Sequence, residues 1–402
     1  MKKKYLIIGS LTFLQLFAKG QPTKDTTSYK PKQIDIELVY NQYVQDGNNS
    51  AVTGGIGTEK LSVYGPSFYI RKTTAKNAVG VKFGADVISS ASTDNIDFVP
   101  SSASKRDTRA YAEGVFERKF EDQNLSVLGG MGASIESDYF SISGRIGFTK
   151  SDKEKLRTFS LDAQIFNDDL RWGRLNASYR KPVKLIYPDE LRYKEWFDEY
   201  RRRSYNLKLG LVQILNRRNT IGIFPEVIYQ SGLLSTPFHR VYFSNDDEAV
   251  ENLPRERLKT AIAVRLNTFT GSRIVLRNTL AAYHDSFGIL ATTIENETAI
   301  KLSPFVSLLP GIRFYMQSNA DDFAPYKVHE STKNFYTSDY DLSKFKTVSG
   351  GMGVKLVRLK DKPRGDATRT LTFRYYYMHR TTGLNAHTVS CVIHWETRKG
   401  SL

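Results

Sequence analysis

The feature that most constrains this chain is an alternation of apolar and polar residues, repeated in segments of roughly ten residues. It is plain in Val79-Gly80-Val81-Lys82-Phe83-Gly84-Ala85-Asp86-Val87 and in Phe159-Ser160-Leu161-Asp162-Ala163-Gln164-Ile165. It returns in Leu371-Thr372-Phe373-Arg374-Tyr375-Tyr376-Tyr377 and Val389-Ser390-Cys391-Val392-Ile393-His394-Trp395. A period of two sends successive side chains to opposite faces of a strand. Many such strands behind an export signal have one economical solution: a closed barrel with lipid outside and a polar lumen inside.

The export signal is read at the N-terminus. Lys2, Lys3 and Lys4 form a positive segment, Tyr5 to Ala18 an apolar one, and Ala18-Lys19-Gly20 sets small residues before a cleavage point after Gly20. The apolar stretch is too short for a comfortable membrane span, and no later run reaches 18 apolar residues. Residues 21–32 read as a short periplasmic lead-in, and 33–402 as one outer-membrane barrel domain.

Mean hydropathy is −0.41, which taken alone describes a soluble protein. A membrane barrel escapes that inference because half of each strand faces the lumen and stays polar. Tyr and Phe number 23 each, and most fall within or at the ends of alternating runs, where interfacial girdles would use them. The formal charge of +16 becomes +12 once Lys2, Lys3, Lys4 and Lys19 leave. In an exported chain that surplus points to anionic headgroups or an anion-attracting lumen, and away from nucleic acid. The single Cys391 cannot form an internal disulfide and sits on an apolar strand face.

Sixteen strands are predicted, at 33–44, 60–72, 77–89, 107–120, 123–134, 138–149, 155–167, 202–217, 218–231, 256–268, 272–285, 289–303, 304–318, 345–359, 368–380 and 384–396. The fold class is therefore an all-β transmembrane antiparallel β-barrel with short periplasmic turns and long extracellular loops. The connections support the count. The long ones, 45–59, 90–106, 168–201, 232–255 and 319–344, are connections one, three, seven, nine and thirteen. All are odd, so all lie at one end. A single miscounted strand would break that parity, so an error must come in twos, giving fourteen or eighteen.

Charges fall opposite the apolar run in strand after strand. The face assigned to the lumen carries Lys82, Arg145, Lys208, Lys259, Arg265, Arg277, Lys301, Arg313, Lys355 and Arg374 against Asp86, Glu113, Glu117, Asp162, Glu226, Glu295 and Glu297. Such bands form structural ion-pair ladders, and where cations exceed anions they favour an anion-preferring pore. The twelfth strand is the weakest, with Thr292, Asn296 and Thr298 on its nominal lipid face.

Among the loops, Thr53, Gly54, Gly55 and Gly57 read as an ordered pore-mouth segment whose glycines adopt positive φ. Asp94, Asn95 and Asp97 offer hard oxygen donors for calcium but lack a liganding frame, so no metal and no cofactor is expected. The loop 168–201, rich in aromatic and charged residues, is the expected gate or plug. Catalysis is not expected. His387 and Ser390 point to opposite faces, and Ser390 and His394 share the lumen face at too great a separation.

Several stretches resemble an uncharacterised bacterial outer-membrane family, domain of unknown function 3570. They are Ser50-Ala51-Val52-Thr53-Gly54-Gly55-Ile56-Gly57-Thr58-Glu59-Lys60-Leu61, and Asp86-Val87-Ile88-Ser89-Ser90-Ala91-Ser92-Thr93-Asp94-Asn95-Ile96-Asp97 with Ser101-Ser102-Ala103-Ser104. Further on come Gly232-Leu233-Leu234-Ser235-Thr236-Pro237-Phe238-His239-Arg240-Val241-Tyr242-Phe243 and Tyr315-Met316-Gln317-Ser318-Asn319-Ala320-Asp321-Asp322-Phe323. The resemblance implies an outer-membrane β-barrel of Gram-negative type, in a gene neighbourhood with secreted flavin-transfer and thioredoxin-like proteins. It implies no catalytic residues. The expected partners are outer-membrane lipid, the barrel-assembly machinery and periplasmic redox proteins. The function expected is passage or binding of small polar or anionic solutes. The alternatives are a plugged barrel serving periplasmic redox or assembly proteins, and a lipid-modifying enzyme.

Overall fold

The computed structural model describes residues 32–90, 107–136, 139–170, 201–236, 239–362 and 365–399. The signal and lead-in, the calcium candidates Asp94, Asn95 and Asp97, and nearly all of the expected gate loop lie outside the described residues. The strands are β1 (Lys32–Asp46), β2 (Leu61–Thr73), β3 (Asn77–Ser90), β4 (Asp107–Phe120), β5 (Leu125–Glu136), β6 (Tyr139–Ser151), β7 (Arg157–Asp169), β8 (Arg201–Ile214) and β9 (Asn219–Gly232). They continue with β10 (Arg240–Tyr242), β11 (Glu248–Val250), β12 (Glu256–Thr270), β13 (Ile274–Asp285), β14 (Leu290–Lys301), β15 (Val306–Gln317), β16 (Phe345–Lys362), β17 (Gly365–Arg380) and β18 (Asn385–Lys399).

All but β10 and β11 pair in sequence order into one closed barrel of sixteen strands, every neighbour antiparallel. β1 closes on β18 in a register running from Lys32↔Lys399 to Asp46↔Asn385, so no edge strand is left with unpaired backbone groups. The sixteen strands coincide with those expected from the alternation. β10 and β11 were not expected: they pair with each other in a small hairpin within the connection between β9 and β12.

The outer face is an apolar belt. Met131 is 73% exposed and Ile294 56%, and they are joined by Val81, Phe83, Ile146, Leu207, Ile262, Phe314, Val348 and Phe373. An exposed apolar area running right round the molecule is what lipid, not water, accommodates. Tyr205 stacks on Tyr229 at 6.3 Å toward the long-loop end, where Tyr375, Tyr377 and His387 also cluster. Phe120, Phe148, Phe159 and Trp395 lie toward the short-turn end. These are the two aromatic girdles of a membrane barrel. Asn296 of β14 is satisfied by its neighbours: it donates to Asn278 Oδ1 of β13 at 2.8 Å and accepts from Thr298 Oγ1 at 2.9 Å. Paired amides are far cheaper to place against lipid than bare ones.

Inside, several glycines exist to seat aromatic rings. A Cβ on Gly311 would lie 2.1 Å from Tyr376 Oη, and one on Gly84 would lie 2.6 Å from Tyr111 Oη. The rings therefore lie along the wall instead of projecting across the lumen.

The apolar core sits at the long-loop end of the barrel. Leu234, Leu253, Phe287, Ile289, Ala291, Ala320 and Leu342 form it, packed against Tyr283, Tyr315 and Phe323. Three loops, 47–60, 233–255 and 318–344, are knitted over it. Lys327 N donates to Tyr242 O (3.1 Å), Ser244 N to His329 O (2.9 Å), and Asn252 and Tyr336 exchange backbone bonds at 3.1 and 2.8 Å. Because Tyr283, Ala291 and Tyr315 are inward-facing residues of β13–β15, this cap lies against the inner wall of the rim.

Candidate functional site

Strand register alone sets the inner surface. Lys82 opposes Glu113, Asp162 opposes Lys208, Lys208 opposes Glu226, and Arg277 opposes Glu297, all on the face away from the apolar belt. The same alternation places Asp86, Glu117, Arg145, Lys259, Arg265, Glu295, Lys301, Arg313, Lys355 and Arg374 on that inner face.

Around β1–β9 the inner charges compensate one another. Arg145 Nε donates to Asp162 Oδ2 at 2.7 Å and its Nη1 lies 3.7 Å from Glu113 Oε1. Arg71 pairs with Glu117, Lys208 Nζ lies 3.3 Å from Glu226 Oε2, and His394 Nε2 lies 3.5 Å from Asp35 Oδ1. Lys82 and Arg109 both approach the ring of Tyr111, at 5.8 and 5.4 Å. Ladders of this kind fix side chains against the wall.

The arc from β12 to β17 differs. Below the rim its described inner face carries six cations, Arg265, Arg277, Lys301, Arg313, Lys355 and Arg374, and two carboxylates, Glu295 and Glu297; Lys259 stands at the rim opposite Asp285. Glu297 is shared: Arg277 pairs with it, and Arg374 Nε lies 3.5 Å from its Oε2. In a ring of sixteen, β14 stands eight strands from β4. A basic wall therefore faces a compensated one across the lumen.

At the rim, three arginines bind carboxylates at the strand ends and in loop 318–344. Arg202 binds Asp168 (2.6 Å), Arg257 binds Asp285, and Arg380 binds Asp341 (2.6 Å). Asp285 also accepts from Tyr283 Oη at 2.6 Å and from the backbone N–H of Phe287 and Ile289 at 3.0 and 3.2 Å. The guanidinium of Arg257 lies 4.3 Å from the Phe287 ring centroid. Both oxygens of this buried carboxylate are fully hydrogen-bonded, as burial of such a group requires.

The expected pore-mouth glycines have a different place. Gly54, Gly55 and Gly57 do adopt positive φ, at 76°, 90° and 77°. Gly54 and Gly55 are nevertheless buried, with Tyr242 against the first and Ser338 O and Tyr340 against the second. They are packing seats inside the cap rather than a surface lining the mouth, because side chains from the other two loops close over them. Thr53 Oγ1 donates to Ser50 O at 3.3 Å and also to Ile56 O, holding the turn. Ser390 and His394 share the inner face, while His387 lies on the outer face with Nδ1 2.8 Å from Tyr375 Oη.

The cap was missed by sequence reasoning, although one part of it was readable. Arg240-Val241-Tyr242-Phe243, the turn residues Ser244-Asn245-Asp246-Asp247 and Glu248-Ala249-Val250 together spell a hairpin. The segment 318–344 has no such period and is held by contacts from other loops, from Gln317 and Arg380 of the barrel, and within itself.

The family described as "Protein of unknown function (DUF3570)" matches residues 72–388. The chain belongs to this family. No curated protein matches it in sequence. Among solved structures it is similar to a bacterial polysaccharide outer membrane secretin, at 8% identity and TM-score 0.45 over 90% of this chain and 98% of that one. A BenF-like porin from Pseudomonas fluorescens Pf-5 gives 11% identity and TM-score 0.42, covering 91% and 98%. The outer membrane protein OpdK from Pseudomonas aeruginosa gives 9% and 0.39, covering 91% and 98%.

Proposed function

We propose that this DUF3570 protein is a porin-like channel of the outer membrane that passes small polar solutes and prefers anions. Export is read from residues 1–20, with cleavage after Gly20. The observation that carries the reading is the inner wall of β12–β17, where among the described residues below the rim six cations stand against two carboxylates. Charges of one sign on a wall backed by lipid focus the field into the lumen, raising the local concentration of counter-ions. A lumen of sixteen strands has the girth for an aqueous path. The cap narrows the mouth from the β13–β15 side, so it belongs to the path and influences which solutes enter.

The test is electrical. Purified protein in planar bilayers is expected to conduct, with a reversal potential in a potassium chloride gradient on the chloride side. Cation selectivity would refute the anion preference. Correctly folded protein that gives no conductance would refute the channel itself.

A further inference from the structure

We propose that His239, Glu251 and Asp339 form a binding site for a divalent transition-metal cation of the zinc class, held between two outer loops. His239 Nδ1 lies 3.6 Å from Glu251 Oε1 and 3.7 Å from Asp339 Oδ2. All three donor atoms fall within 4.8 Å of one another. Ligands at about 2.0–2.2 Å around one tetrahedral ion stand roughly 3.3–3.6 Å apart, so each carboxylate already stands near that spacing from the imidazole, and an ion would draw the two carboxylates together.

The local fold builds this arrangement. His239 and Glu251 are the pair immediately beyond the Arg240↔Val250 end of the β10–β11 hairpin, joined by Glu251 N donating to His239 O at 2.9 Å. Directly opposed residues share a face of a two-stranded ribbon. Asp339 comes from the third loop, where it precedes the short turn Tyr340–Leu342.

Each carboxylate is oriented from behind. Glu251 Oε2 accepts from Thr236 N at 2.6 Å and Oε1 from Thr337 Oγ1 at 2.6 Å. Asp339 Oδ1 accepts from Asp341 N at 2.9 Å, which turns Oδ2 toward the imidazole. Such backing hydrogen bonds are the outer shell that metal-ligating carboxylates require.

The donor set decides the ion. Calcium and magnesium take all-oxygen shells, whereas imidazole nitrogen with carboxylate favours zinc and its neighbours. Two carboxylates with a neutral imidazole balance a dication. The side chains of His239, Glu251 and Asp339 are 7%, 1% and 14% exposed, so that balance is struck largely out of water. Three protein donors leave one position for water. An ion bound here ties loop 233–255 to loop 318–344 and stiffens the cap. The site stands whether or not the barrel conducts.

Tag-free full-length protein, folded in detergent micelles and stripped with chelator, is titrated with zinc chloride by calorimetry. One ion per chain is expected, with affinity lowered at least about tenfold in Asp339→Asn. Zinc is also expected to slow proteolysis of the two loops in the wild type and not in the variant. The heat-dependent gel mobility of the folded barrel serves as the fold control. His239→Gln carries the same test should Asp339→Asn not reach that mobility. Absence of zinc binding by the wild type, or equal affinity in wild type and variant, would overturn the site. Calcium chloride binding as tightly as zinc would overturn the assigned ion class.

Discussion

Tyr376 and the glycines beneath it show how single residues set the width of the lumen. The ring lies along the wall because Gly311 offers it no Cβ to meet. In Gly311→Ala the ring must swing inward, so single-channel conductance is expected to fall while the folded gel mobility persists. In a Tyr376→Ala background the same change is expected to have no effect on conductance. His329 is the corresponding residue of the cap. Its Nε2 donates to Thr337 O at 2.9 Å, and its buried Nδ1 has no hydrogen-bond partner. Burial chiefly lowers its pKa below the ordinary 6.5; Lys333 adds to the effect, while the bond to Thr337 and the charge of Asp322 oppose it. Below pH 6.5 the unfolded segment takes up a proton that the packed segment resists, so cap stability falls as pH falls. Proteolysis of loop 318–344 is expected to accelerate between pH 7.5 and 5, and His329→Gln should flatten that dependence.

At the level of elements, the strands and the cap are stabilised by different means. Each barrel strand has two hydrogen-bonded neighbours, and closure leaves none at an edge. The cap loops have little regular pairing and depend on anchors at the rim. Arg257 and Asp285 are the most deeply buried of these, at 5% and 1% exposed. Removing one partner of a buried pair strands the other charge, at a cost of about 3–5 kcal/mol. Arg257→Ala is therefore expected to lower the unfolding midpoint in detergent strongly. Lys60→Ala is the contrast, since Lys60 Nζ lies 3.9 Å from Asp46 at the surface. Water screens that pair, and the change is expected to stay within about 1 kcal/mol. A comparable loss in both variants would show that burial does not govern these anchors.

For the whole molecule, the asymmetry of the inner wall is the property with a functional readout. Charges around β1–β9 pair locally, whereas β12–β17 keeps an excess of cations. Lys355→Glu combined with Arg313→Glu is expected to move the reversal potential toward cation selectivity. Glu113→Gln, on the compensated side, is expected to shift it much less. Equal shifts in both would mean that the two walls contribute alike. Lys355 and Arg313 lie on β16 and β15, strands paired along their length, so the barrel is expected to tolerate either change.

The barrel was legible in the sequence because its governing rule is local. Lipid on one side and a polar lumen on the other impose a period of two on every strand, and the unequal ends impose a parity on the connections. Strand order, count and the inner placement of Arg145, Glu297 and Lys355 follow from these with no knowledge of long-range contacts. The cap obeys no such rule. Gly55 beneath Tyr340, Asn252 beside Tyr336, and His239 facing Asp339 join residues about a hundred or more positions apart in two of the three cases, and no period in either loop pairs it with the other. Which carboxylates meet that imidazole was decided only by how three loops pack over a shared apolar core, where burial and mutual fit, not sequence pattern, select the neighbours.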